Sequence, residues 1–186
     1  IIFMELIKSL KQTKLFKYLL VALLGSILLA ISSKIKIPFY PVPMTMQTFV
    51  VLFIGIAFGW KLGIATILLY LFEGVIGLPV FSGTPEKGLG LVYFTGPTMG
   101  YLIGFIVAVY FAGKFVYENN ILKNFLKLSF ATSLIYILGM IWLGSLIGWD
   151  KPIFKLGAQP FLLAELFKIL IATLAVHQIK KIRNLI

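Results

Sequence analysis

The chain contains no cysteine and a single histidine, His177, among its 186 residues. Disulfides, thiolate metal sites and thiol nucleophiles are excluded, and a histidine-based metal site or catalytic triad lacks its parts. Charge is scarce as well: 12% of residues carry it, about half the usual share of a soluble domain. No Gly-x-x-x-x-Gly-Lys-Ser/Thr run occurs, so an ATP-driven step would have to come from a partner chain.

What is present is apolar. Hydrophobic residues make up 60% of the chain and mean hydropathy is +1.04. A protein of this length cannot hide that much apolar surface from water, so lipid is the solvent for much of it. The net charge of +11 would suggest nucleic acid in a soluble protein. Here the basic residues punctuate apolar runs and form no patch, which fits loops beside anionic lipid and not nucleic acid. The basic stretch Lys8–Lys17 before Tyr18–Ile31 has the order of a signal peptide. Ala30-Ile31-Ser32 is a poor cleavage site and more apolar spans follow, so the reading is a retained first helix.

Charges and prolines divide residues 1–186 into one all-α transmembrane domain of six spans: Leu15–Ser33, Met44–Trp60, Leu62–Phe81, Leu91–Phe115, Phe125–Trp149 and Phe161–Ile179. Three prolines in the segment 37–43 rule out a regular helix there and predict an ordered loop packed against protein. With six spans both termini share a side, which carries eleven Lys and Arg against five on the other. That bias places the termini in the cytoplasm of a multi-pass cell-membrane protein. Small residues recur every four positions. Gly55, Gly59 and Gly63, and Gly96, Gly100 and Gly104, read as internal packing. Ala22, Ser26 and Ala30 on the first span offer a flat stripe for a neighbour or a partner helix.

Polar groups inside apolar spans need a reason, since a central charge costs about 2.5–3.5 kcal/mol on insertion scales. They are Gln47, Glu73, Glu165 and Lys168. All four fall in the outer half, which predicts a polar pocket opening outward above an apolar floor. Glu165 and Lys168, three residues apart, share a helix face. Either they form a structural ion pair, or Glu165 accepts hydrogen bonds from a ligand while Lys168 neutralises an anion. Gln47 can donate and accept, and Glu73 is expected to pair within the scaffold. The glycine-rich stretch 82–90 suits a lid. The residues alone support a small anionic or zwitterionic ligand bound from outside.

Three ordered motifs narrow this. Pro41-Val42-Pro43-Met44-Thr45-Met46-Gln47-Thr48, Gly77-Leu78-Pro79-Val80-Phe81 and Gly96-Pro97-Thr98-Met99-Gly100-Tyr101-Leu102 resemble the signature stretches of the BioY family, the biotin-binding S components of energy-coupling factor (ECF) transporters. The resemblance covers essentially the whole chain. It implies the six-helix S-component fold, biotin as ligand, no cofactor or metal, and partnership with an ECF transmembrane coupling protein and ATPase subunits. It also implies a site of outer-loop residues and the last span. Pro160 followed by Glu165 and Lys168 matches the family's acidic-then-lysine pattern, with Glu165 and Gln47 suited to the ureido ring of biotin and Lys168 to its carboxylate. Tyr101 belongs to the third motif. An Asn of the outer loop in some relatives has no match, leaving Thr84 or Glu86 as substitutes, and an Arg of some relatives is replaced by Leu102. Docking on the coupling protein is implied for Ala22, Ser26 and Ala30. An S component for another vitamin and an intramembrane enzyme using Glu165 and Lys168 are the competing readings.

Overall fold

The computed structural model describes residues 2–37 and 44–186, with side chains described from Lys14 onward except at Ile37 and Met44. The proline-rich loop expected at 38–43 lies outside the described residues. Among those described the chain is helical, save for a two-residue antiparallel pairing of β1 (Lys36–Ile37) with β2 (Met44–Thr45). Among the described residues four stretches are long and apolar enough to cross a membrane: Lys14–Lys34, Gln47–Val75, Ile121–Ile147 and Ile153–Leu174. Met99–Lys114 is a shorter apolar helix.

The second stretch is not one rod. Helix α2 (Gln47–Val75) breaks at Gly59, whose backbone adopts φ 76° and ψ 172°, a region essentially reserved for glycine. A straight helix would separate residues 47 and 70 by roughly 35 Å at 1.5 Å per residue. Instead Gln47 donates to the Tyr70 hydroxyl at 2.6 Å, so the two arms fold back on each other about Gly59. Arg183 closes this turn by donating to the carbonyls of Gly55 and Ile56 at 3.0 and 2.7 Å, groups that a helix end leaves unpaired.

The remaining boundaries follow local chemistry. The expected span at 91–115 starts as a short helix α3 (Leu91–Phe94), is interrupted around Pro97, and resumes as α4 (Met99–Lys114). Proline's missing N–H and its restriction of the preceding residue account for the interruption. Helix α5 (Ile121–Ile147) begins four residues earlier than expected, because Asn120 accepts a capping bond from the Lys123 backbone N–H at 3.0 Å. The last stretch is divided into α6 (Ile153–Gly157), a 3₁₀ turn (Gln159–Phe161), α7 (Leu162–Leu174) and α8 (Val176–Ile182).

Helix α4 sits between α2 and α5. A Cβ on Gly104 would lie 2.6 Å from the Ile135 Cα, and one on Gly100 would meet the Leu138 carbonyl, so at these two positions only glycine permits the approach of α5 and the reading of internal packing holds. The stripe of α1 (Ile2–Lys34) also turns inward. Ser26 is fully buried and donates to Glu73 at 2.8 Å, Ala22 is buried, and Ala30 packs on the core. Within this chain, the central residue of the stripe contacts the chain's own α2. Glu73 pairs within the scaffold, as expected. Leu23, Leu24 and Ile27 of α1 and Leu166 and Leu170 of α7 are exposed, and facing lipid costs such residues nothing.

Candidate functional site

Beneath the loop 82–90, a cavity of about 590 Å³ opens between α2, α4, α5 and α7. Gln47, Tyr101, Glu165 and Lys168 all line it. Deeper toward the termini lies a core of apolar side chains that includes Leu52, Ile56, Leu128 and Ile169, the floor that the sequence called for.

Glu165 and Lys168 stand on one face of α7 and are 5% and 3% exposed. They meet at 2.7 Å through Glu165 Oε1. Two further groups fix this oxygen: the Thr48 hydroxyl donates to it at 2.9 Å and the Tyr136 hydroxyl at 3.0 Å. Thr48 Oγ1 in turn accepts from Lys168 Nζ at 2.9 Å. Glu165 Oε1 is therefore saturated, whereas Oε2 is buried and without a partner among the described residues. An unpaired buried carboxylate oxygen is costly unless something supplies a donor.

Gln47 presents a second acceptor, and its orientation follows from proton accounting. The Tyr70 hydroxyl has one hydrogen, which it gives to the Val80 carbonyl at 3.0 Å. It must therefore accept from Gln47, which fixes Nε2 toward Tyr70 and leaves the side-chain carbonyl oxygen on the other side. The ammonium of Lys168 has used two of its three donors. The polar end of the cavity thus offers two acceptors and one donor.

The rest of the wall is aromatic and aliphatic. Tyr101 meets Tyr136 edge to face at 5.9 Å, Tyr136 lies 6.4 Å from Phe161, and Phe105, Ile135, Leu143, Ile147 and Leu156 add aromatic and aliphatic lining. The Tyr101 hydroxyl is committed to the Gly157 carbonyl at 2.7 Å, so this residue serves as apolar wall. Its ring packs directly over Gly139.

Thr84 and Glu86 do not line the cavity. Thr84 is buried and accepts from Lys34 Nζ at 2.8 Å, while Glu86 is exposed at the tip of the loop. Lys34 places its other two donors on the carbonyls of Phe81 and Thr84, both at 2.9 Å. With Phe81 packed among the rings of Tyr70, Tyr93 and Phe94, this clamp anchors the base of the loop. Sequence reasoning missed Thr48 and Tyr136. Thr48 was within reach, since it ends the first motif one residue after Gln47. Tyr136 gave no signal, because a tyrosine in an apolar span reads as ordinary packing.

Comparison with known proteins agrees with this architecture. A model of the BioY family matches residues 7–184. The probable biotin transporter BioY of Pyrococcus horikoshii is 34% identical, over 82% of this chain and 90% of its own length. The biotin transporter BioY of Thermotoga maritima is 32% identical, over 83% of this chain and 90% of its own. In fold, the chain is similar to the crystal structure of an S component for biotin from an ECF-type ABC transporter. The TM-score is 0.73 at 23% identity, with 91% of this chain and 93% of that one covered.

Proposed function

The chain belongs to the BioY family, and we propose that it is the membrane subunit that captures biotin for uptake, in the cavity walled by Tyr101, Tyr136 and α7. The observation that carries this reading is the pattern of groups left unused among the described residues: Glu165 Oε2 and the Gln47 carbonyl oxygen as acceptors, and the third N–H of Lys168 as donor. A ureido ring has the complementary set, two N–H donors and one carbonyl. The aromatic lining suits the thiophane ring and alkyl chain, and the volume is that of a small-molecule site.

The fold is read as six crossings: α1, the two arms of α2, α4, α5, and α7 with α8. The cavity faces the outside of the cell and both termini the cytoplasm, on the strength of the eleven-to-five distribution of Lys and Arg. Transport energy comes from a partner ATPase acting through a membrane coupling protein. Thr84 contributes by holding the loop base through Lys34, and Glu86 stays at the loop tip.

Purified protein tests the reading by whether it binds biotin and whether Glu165→Gln weakens that binding. Wild-type protein without affinity for biotin would refute it. Binding that survives Glu165→Gln undiminished would move the site elsewhere.

A further inference from the structure

Taking biotin capture as the premise, we infer that Lys168 does not meet the ligand's carboxylate and that Lys36 and Lys87, at the mouth of the cavity, do. Biotin's ureido carbon and carboxylate are separated by about eight bonds of roughly 1.5 Å, on the order of 10 Å when extended. Lys168 Nζ is held 2.7 Å from Glu165 Oε1. Whichever end of the ligand Glu165 receives, Lys168 receives too. With Glu165 accepting from the ureido N–H groups, the ammonium of Lys168 is one hydrogen bond from the ureido carbonyl and far from the carboxylate.

Charge accounting then points to the other cations. The Glu165–Lys168 pair is neutral as a unit, yet among the described residues the cavity lining holds two more ammonium groups, Lys36 and Lys87, and no second carboxylate. Lys34 cannot serve, because its three donors are spent on Phe81 and Thr84. Lys151 is paired with Asp150 at 3.1 Å and lies off the lining. Among the described residues the ammonium groups of Lys36 and Lys87 have neither a hydrogen bond nor an ion pair. Their backbones are nonetheless fixed. Lys36 sits in the β1–β2 pairing opposite Thr45. The side chain of Lys87 lies across Gly83, where a Cβ would come within 2.8 Å of its Cδ. Both are exposed, so a carboxylate held there remains hydrated and open to salt.

Calorimetric titration of the full-length protein with biotin and with uncharged biotin amide separates the two assignments. Wild-type protein should favour biotin over the amide. Lys36→Gln with Lys87→Gln should weaken biotin about threefold to tenfold, as expected for two exposed charge contacts, and leave the amide within about twofold. Lys168→Gln should weaken both ligands by the same factor. Raising ionic strength from about 0.02 M to about 0.5 M, which shortens the Debye length to roughly 4 Å, should close the gap between acid and amide in wild-type protein. A gap that narrows with Lys168→Gln, or that persists in the Lys36/Lys87 double variant, overturns the inference while biotin capture stands. If wild-type protein binds neither ligand, the premise itself fails. Should Lys168→Gln not fold, the double variant and the salt series, which touch only exposed groups, decide the matter alone.

Discussion

Glu165 and Lys168 touch at 2.7 Å inside an apolar helix, and among the described residues only one of the two carboxylate oxygens is satisfied. A buried pair of this kind does not by itself stabilise a fold, since desolvation cancels much of the attraction. Breaking it is different. Lys168→Met should destabilise the protein by about 3–5 kcal/mol by leaving a buried charge with hydroxyl partners only. Adding Glu165→Gln should restore much of that loss. Thermal unfolding of both variants in detergent checks it, and equal destabilisation by the single and double variants would show that the pair is not coupled.

The turn of α2 rests on Gly59. A Cβ there would meet the Arg183 guanidinium only at 3.5 Å, ordinary contact, so space is not the constraint. The backbone at φ 76° is. Gly59→Ala should therefore cost about 1–3 kcal/mol, visible as a lowered unfolding temperature. An unchanged temperature would mean that the turn tolerates another conformation.

Ser26 and Leu23, one turn apart on α1, differ in burial: Ser26 is fully buried against Glu73, whereas Leu23 is exposed. Ser26→Phe should lower stability and biotin binding together, because the ring would have to enter the α1–α2 contact. Leu23→Phe should leave both unchanged. Binding intact in Ser26→Phe with uptake lost would instead restore the stripe to a partner-docking role.

The absence of cysteine makes topology directly readable. A cysteine placed at Glu86, exposed at the loop tip, should react with an impermeant maleimide in intact cells. One placed at Lys180 should react only after permeabilisation. The reverse pattern would invert the membrane orientation and turn the cavity inward.

Much of this was legible in the sequence because lipid makes polarity conspicuous. Gln47, Glu165 and Lys168 stood out against apolar neighbours, and the structure gathers them on one cavity. The pairing of Glu73 and the glycine packing followed from the same logic. The partner assignments were harder to read. That Ser26 would turn toward Glu73 depends on the rotation of α1, which a stripe of small residues leaves open. The Glu165–Lys168 contact was one of two readings of an i, i+3 spacing, and only the Thr48 and Tyr136 hydroxyls, contributed by α2 and α5, pin the carboxylate against its neighbour. The acceptance by Thr84 of a bond from Lys34 is set by the fold of the loop, which the sequence does not spell out.

The most direct measurement is a calorimetric titration of biotin into purified wild-type protein and into Glu165→Ala. Removing one side of a desolvated, charge-assisted contact costs about 2–5 kcal/mol, or roughly 30-fold to several-thousand-fold in affinity. Wild-type protein should bind one biotin per chain, and Glu165→Ala should weaken it by a factor in that range while remaining folded. Equal affinities for the two proteins, or no biotin binding by wild type, would contradict capture of biotin at Glu165.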